Sequence, residues 1–228
     1  MSKIHILWAT ARPMTFISTH DNWILEADDE DNFDTYVVVD KDEHRNQLND
    51  YEDIKLMLIE SKRSGVTWPC YNLSKMVADS SIPDNDIIIF ASDDFFPPEN
   101  WDVILLDLFE DYTGSVIYND TLQYGPVVTC PIMDMYTLRK LNGIIYHPAY
   151  NHSYSDNELY DNLKELNLIR DLRETKPEII FEHRHHGNNH RATDAIDRSF
   201  LCKEQEDKST YIDRKTLPIH ERLKISNE

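Results

Sequence analysis

A chain of 228 residues, 40% of them hydrophobic, can bury one large core, which excludes an intrinsically disordered protein and leaves room for one domain with an appendage. Its 23 basic against 42 acidic side chains leave a formal charge of −19, a surface that repels nucleic acid and anionic membrane unless basic residues gather locally. Cys70, Cys130 and Cys202 show no CxxC spacing, and no apolar run is long enough for a signal peptide or a bilayer span, so a reducing cytoplasm is the expected compartment.

Residues 4–9 form a short apolar run halted at Thr10-Ala11-Arg12-Pro13, which predicts a buried strand. The stripe Phe16, Ile17, Trp23, Ile24 and Ala27 predicts a helix that ends at the acidic stretch 28–31. Tyr36-Val37-Val38-Val39 is a β-branched strand closed by Asp40, and 54–59 reads as a third strand whose spacing also tolerates a helical turn. Gly65 marks a turn and 71–78 a helix. Residues 86–91 are a near-continuous apolar strand, the pattern of a strand covered on both faces, and they run directly into Ser92-Asp93-Asp94.

Pro97-Pro98 breaks the chain before a helix over 99–112 with acids in its first turn. Strands are expected at 115–118 and 127–130, helices near 135–141 and 157–168, and a last strand at 178–182. Beyond Asn188 the sequence is polar and charged without strand signal or repeat, and predicts an extended or helical wrap over the domain. Alternating strands and helices in the first half imply a parallel αβ sheet, with a more mixed second half. That asymmetry suits a nucleotide-binding half joined to an acceptor half. With five glycines, no G-x-G-x-x-G after the first strand and no P-loop motif, dinucleotide and P-loop chemistry fall away.

Ser92-Asp93-Asp94 falls at the C-terminal end of a buried strand, where open αβ sheets place their ligands. Adjacent carboxylates repel, and a hard divalent cation, Mg²⁺ or Mn²⁺, offsets that repulsion while bridging to a diphosphate. An acidic pair after a strand is equally an ordinary solvated turn or helix cap. Four histidines within 183–190 follow the last strand, and alternation points His183 and His185 to one side; zinc is the rival use of such a cluster, without cysteines nearby. Asp156 stands at a helix start, as an N-cap does. Of the aromatics Trp8, Trp68, Phe95, Phe96, Trp101, Tyr146 and Tyr150, one or two are expected in a pocket and the rest in the core.

Residues 6–13, 36–40, 87–98 with Asn100-Trp101, 154–158 and 181–185 together resemble the GT-A glycosyltransferases, in particular compact family 2-like enzymes, some of them encoded by bacteriophages. The resemblance paces out about the first 190 residues. It implies a mixed, Rossmann-like αβ sheet with helices on both faces, with residues 1–190 as the GT-A domain (1–112 the nucleotide half, 113–190 the acceptor half) and 191–228 as a C-terminal extension. By position it puts base and ribose of a nucleotide-sugar, a UDP-sugar first, against Ala9, Thr10, Arg12 and Asp40. Asp93 and Asp94 together would serve ribose, diphosphate and metal, Asp94 before Asp93 as the metal ligand, and His183 or His185 would complete the metal shell or contact the diphosphate. Asn72 and Lys75 would touch the donor from the preceding helix, where plain helix surface is the alternative. Asp156 would be the catalytic base of an inverting transfer. Ser92 departs from the usual acid-any-acid signature by filling its first acidic place.

Resemblance to phage-encoded members makes hydroxymethylated pyrimidine in phage DNA the expected acceptor, with a glycan or protein acceptor as alternative. A DNA acceptor requires a basic track, for which Arg139, Lys140, Arg184, Arg191, Arg198, Lys203, Lys208, Arg214 and Lys215 are the candidates, with Glu204, Glu206 and Asp207 as acidic neighbours. Nucleotidyl transfer and a non-catalytic sugar-nucleotide module are the other readings. The first lacks its glycine-rich basic loop here, because the turn after the first strand offers only Arg12.

Overall fold

Alternation along two central strands dictates the layers. In β1 (Ile4–Ala9), Ile4, Ile6 and Trp8 point to one face and Leu7 to the other; in β4 (Ile87–Ala91), Ile87, Ile89 and Ala91 share the first face and Ile88 and Phe90 the second. Both faces are apolar, so both need helices. On the first lie α1 (Pro13–Leu25) and α4 (Trp101–Glu110), which bury Phe16, Trp23, Trp101 and Leu105 completely. On the second lie α3 (Thr67–Ala78), α5 (Met135–Lys140) and α6 (Ser155–Glu165), through Cys70, Leu73, Leu138, Leu159 and Leu163.

This computed structural model describes residues 2–52, 54–59, 65–122, 125–184, 198 and 202–225. Its main sheet has seven strands in the order β3-β2-β1-β4-β7-β6-β8, where β2 is Phe33–Val39, β3 Lys55–Leu58, β6 Ser115–Ile117, β7 Ile132–Asp134 and β8 Ile169–Asp171. The first four strands in sequence are mutually parallel, β7 runs antiparallel between β4 and β6, and β8 is parallel to β6. A mixed sheet with helices on both faces is the architecture expected from the sequence. Strand order reverses at β1, with β2 and β3 to one side and β4 to the other, and a crevice opens at the strands' C-terminal edge at such a switch point. A second ladder pairs β5 (Phe95–Phe96) with β9 (Glu182–His183).

Four stretches differ from expectation. Residues 127–130 form a buried loop, not a strand: Cys130 takes a φ of 43°, which ends any extended run, and pairing starts only beyond it, where Phe90 N–H donates to Pro131 O at 2.9 Å. The last strand starts later, because Ile180 makes one isolated bridge to Asn119 and the ladder to β5 begins at Glu182. The helix expected at 157–168 begins at Ser155 and ends at Glu165; Asn167 reverses the chain at a φ of 55° and β8 follows. Finally, α2 (Asp42–Leu48) occupies what reads as plain polar chain, with His44 and Leu48 as its buried side.

Near the C-terminus, α7 (Glu204–Lys215) packs against α6, and α8 (Ile219–Arg222) is tied to it by the ion pair of Arg222 with Glu165. Arg214 donates from Nε and Nη2 to the two oxygens of buried Glu158, at 2.8 and 2.7 Å, and Tyr150 Oη donates to the same carboxylate at 2.6 Å. Among the described residues no helix is long and apolar enough to cross a membrane.

Candidate active site

The C-terminal ends of β1, β2 and β4 open into a cleft of about 820 Å³. Ala9, Thr10, Arg12, Asp40, Asp93, Asp94, Asp156 and His183, drawn from five separate stretches of sequence, all line it.

On one side, the β1–α1 turn is shaped by two bonds. Thr10 N–H donates to Val38 O at 3.1 Å, extending the β1–β2 ladder by one residue, and Arg12 N–H donates to Thr10 Oγ1 at 2.9 Å, turning the chain into α1. Pro13 opens that helix, where its missing N–H costs nothing. Asp40, just past β2, has Oδ1 3.5 Å from His44 Nδ1 on α2.

The acidic pair divides its work. Asp93 is buried, and its two oxygens accept from Trp8 Nε1 and Thr10 Oγ1, at 2.9 Å each. Burial pushes its carboxyl up to about 7, against the pull of those two donors and of Arg12. It thereby ties the end of β4 to the end of β1. Asp94 lines the cleft beside it, with Oδ1 accepting from Ser92 Oγ at 2.8 Å. The serine that replaces the expected first acid therefore orients the second.

The β5–β9 register sets Phe95 opposite His183, and this brings His183 Nε2 to 3.4 Å from Asp94 Oδ1. One carboxylate and one imidazole suit a divalent cation that completes its shell with water and substrate phosphates, so the residues present fit Mg²⁺ or Mn²⁺. A structural zinc site needs four protein ligands, and among the described residues no group of three His, Cys, Asp or Glu is placed to hold a metal.

Asp156 lines the same cleft from the first turn of α6. It is not the helix cap: that position belongs to Tyr154, at a φ of 64° and without a side-chain cap bond. Asp156 Oδ1 accepts from Asn157 N–H at 2.9 Å. Burial raises its carboxyl to about 6, and backbone donors and the His183 charge pull only partly against this. A carboxylate with that proton affinity is ionised at neutral pH and basic enough to take a proton.

Two donor-contact candidates are not in the cleft. On α3, Pro69 and Cys70 face it, and at 100° per residue Asn72 lies roughly 200° round from Cys70 and Lys75 about 140° round. Asn72 Nδ2 donates to Trp68 O at 2.8 Å within its own helix, and Lys75 pairs with Asp79 at the exposed surface. His185 lies outside the described residues. Of the aromatics, Tyr146 lines the cleft, whereas Trp8, Phe95 and Trp101 are core, as expected. Sequence reasoning placed neither His152, Ser153 nor Glu204 at the site, and all three line it beside Tyr154 and Ser155. Asp207, named above among the acidic neighbours of the basic track, is fully buried.

No protein-family model matches the chain, and no curated protein sequence is similar to it. Solved structures are similar in fold. S. aureus TarS 1–349 has a TM-score of 0.60 at 12% identity over 96% of this chain and 77% of its own. The same protein in complex with UDP-GlcNAc gives 0.54 at 15% identity over 79% and 55%. The mannosyltransferase PcManGT of Pyrobaculum calidifontis, in complex with GDP-Man and Mn²⁺, gives 0.55 at 16% identity over 79% of this chain. The chain spans 56% of that mannosyltransferase's length. These likenesses establish the fold as that of GT-A glycosyltransferases.

Proposed function

We propose that the cleft transfers a sugar from a nucleoside-diphosphate sugar to an acceptor hydroxyl, with inversion. The observation that carries this reading is the placement of Asp94 and His183 together with Asp156 in one cleft at the sheet's switch point. The donor's nucleotide would lie along Ala9–Arg12 and Asp40, its diphosphate toward Asp94 and His183. A divalent cation held there supplies charge neutralisation for the departing diphosphate. Asp156 takes the proton from the acceptor hydroxyl as its oxygen bonds to the anomeric carbon, and the bond to the diphosphate breaks with its electron pair leaving on the phosphate oxygen. One displacement inverts the anomeric centre. Neighbours of the same fold bound to UDP-GlcNAc and to GDP-Man with Mn²⁺ support a donor of this class, and UDP-sugars are the first to test.

The described surface does not favour the DNA acceptor. Of the basic-track candidates, Arg139 pairs with Asp84, Arg184 with Glu182, Lys203 with Glu206, Arg214 with Glu158 and Lys215 with Asp161. With these charges neutralised and Glu204 at the cleft, a neutral glycan or protein hydroxyl fits better than a polyanion. The test pairs a thermal-shift screen of nucleotide-sugars with and without Mn²⁺ with mass analysis of saccharide, protein and hydroxymethylpyrimidine-DNA acceptors. No Mn²⁺-dependent stabilisation by any donor would reject sugar transfer, and an adduct on the DNA alone would restore the nucleic-acid acceptor.

A further inference from the structure

The wall that carries Asp156 is held from a distance. Just before α6, the turn 151–154 directs three successive backbone N–H groups at a single carboxylate. Asp207 Oδ1 accepts from Asn151 N–H at 2.8 Å and Asn151 Nδ2 at 3.1 Å, and its Oδ2 accepts from His152 N–H and Ser153 N–H at 2.9 Å each. Successive N–H groups converging in this way form an anion nest, and Asp207, fully buried on a mostly polar helix, fills it. The next residue, Tyr154, sits in the left-handed region, which a tyrosine holds only where its surroundings impose it. Its ring stacks on Tyr211, one helical turn beyond Asp207, at 5.7 Å and 23°. From the other side Val66 N–H donates to Asn151 O at 3.0 Å.

We propose that Asp207 is a positioning residue for Asp156: by clamping the 151–154 turn to α7 it sets the first turn of α6 so that the base faces the Asp94–His183 pair. This rests on Asp156 being the base. Among the described residues the Asp207 carboxylate accepts hydrogen bonds only from the turn's backbone and the Asn151 side chain, so its effect passes through the turn. An asparagine in its place would present its NH₂ to two of the four donors, opening one side of the clamp while keeping the shape.

The experiment measures kcat, donor KM and Mn²⁺-dependent affinity for nucleoside diphosphate in Asp207→Asn, Tyr211→Ala, Asp156→Asn and the Asp156→Asn/Asp207→Asn double variant. Expected are a kcat about tenfold or more lower in Asp207→Asn, a smaller drop in Tyr211→Ala, and donor KM and affinity within about twofold of the parent in both. If the clamp acts through the base, the double variant should be no slower than Asp156→Asn alone, within about threefold. Parental kcat in both clamp variants, losses that multiply in the double variant, or donor KM rising in step with the fall in kcat would each overturn the proposal. Should Asp207→Asn fail to fold, Tyr211→Ala, a partly exposed position, decides by the same criteria, combined with Asp156→Asn. If Asp156→Asn turns over at the parental rate, it is the base assignment that fails; an inactive Asp156→Asn beside parental clamp variants defeats the positioning role alone.

Discussion

Asp93 is expected to make the protein less stable as pH rises from 4 to 7. Its folded carboxyl titrates at about 7, lifted by burial, while the unfolded chain ionises near the ordinary 3.8. Between those values the folded state holds a proton that the unfolded state has released. Stability from this group is therefore complete below the unfolded value, falls through the window and is flat above it. Some three pKa units at about 1.4 kcal/mol each make the change on the order of 4 kcal/mol. Asp93→Asn removes the titration while keeping both bonds, since an amide oxygen accepts from Trp8 Nε1 and an amide NH₂ donates to Thr10 Oγ1. Urea unfolding of both proteins in chelator, at steps from pH 4 to 7.5, should show the variant gaining on the parent by that amount. Asp34 and Asp102, held low by their hydrogen-bond donors despite burial, titrate in both proteins and cancel in the difference. An offset constant to within about 1 kcal/mol across the range would mean that Asp93 is ionised throughout, and would refute the argument.

Three further outcomes follow from the site. Asp94→Ala should lower Mn²⁺-dependent affinity for nucleoside diphosphate by about 100-fold or more in calorimetry, with an unchanged urea midpoint; unchanged affinity would remove the metal assignment. Below pH 6 kcat/KM should fall about tenfold per unit as Asp156 protonates, and Asp156→Asn should be about 100-fold slower or worse with no such limb, whereas a limb persisting in the variant would assign it to another group. Gly65→Ala should cost about 1–3 kcal/mol in urea unfolding, because Gly65 has a φ of 103° and an added Cβ would lie 2.0 Å from Asn151 O; parental stability would show that the turn yields freely.

Strand periodicity made the nucleotide half legible, because a sheet covered on both faces writes itself as unbroken apolar runs such as 87–91, and the acids at the end of such a run sit at a ligand edge by construction. Val127-Val128-Thr129-Cys130 has strand composition too, but its valines are buried as a loop wall and the φ of Cys130 is not written in its identity. Asn72 and Lys75 were placed on the right helix, yet the rotation of α3 depends on how Leu73 and Val77 pack, which spacing does not give. The same limit hid the pairing of the basic residues: charges can be counted in a sequence, their partners cannot. Asp207 stands among charged neighbours on a polar helix, and the amides that engage its buried carboxylate lie 54 to 56 residues back in the chain.

That distance orders events at the ribosome. Synthesis proceeds from the N-terminus at about 5–20 residues per second, so all seven strands of the main sheet, the last ending at Asp171, have been made before Asp207 has. Until Asp207 is made, the amides of 151–153 lack the carboxylate to which they donate. If the cleft transfers sugar as proposed, its catalytic wall would be set only once the helix that carries Asp207 has been made and has docked.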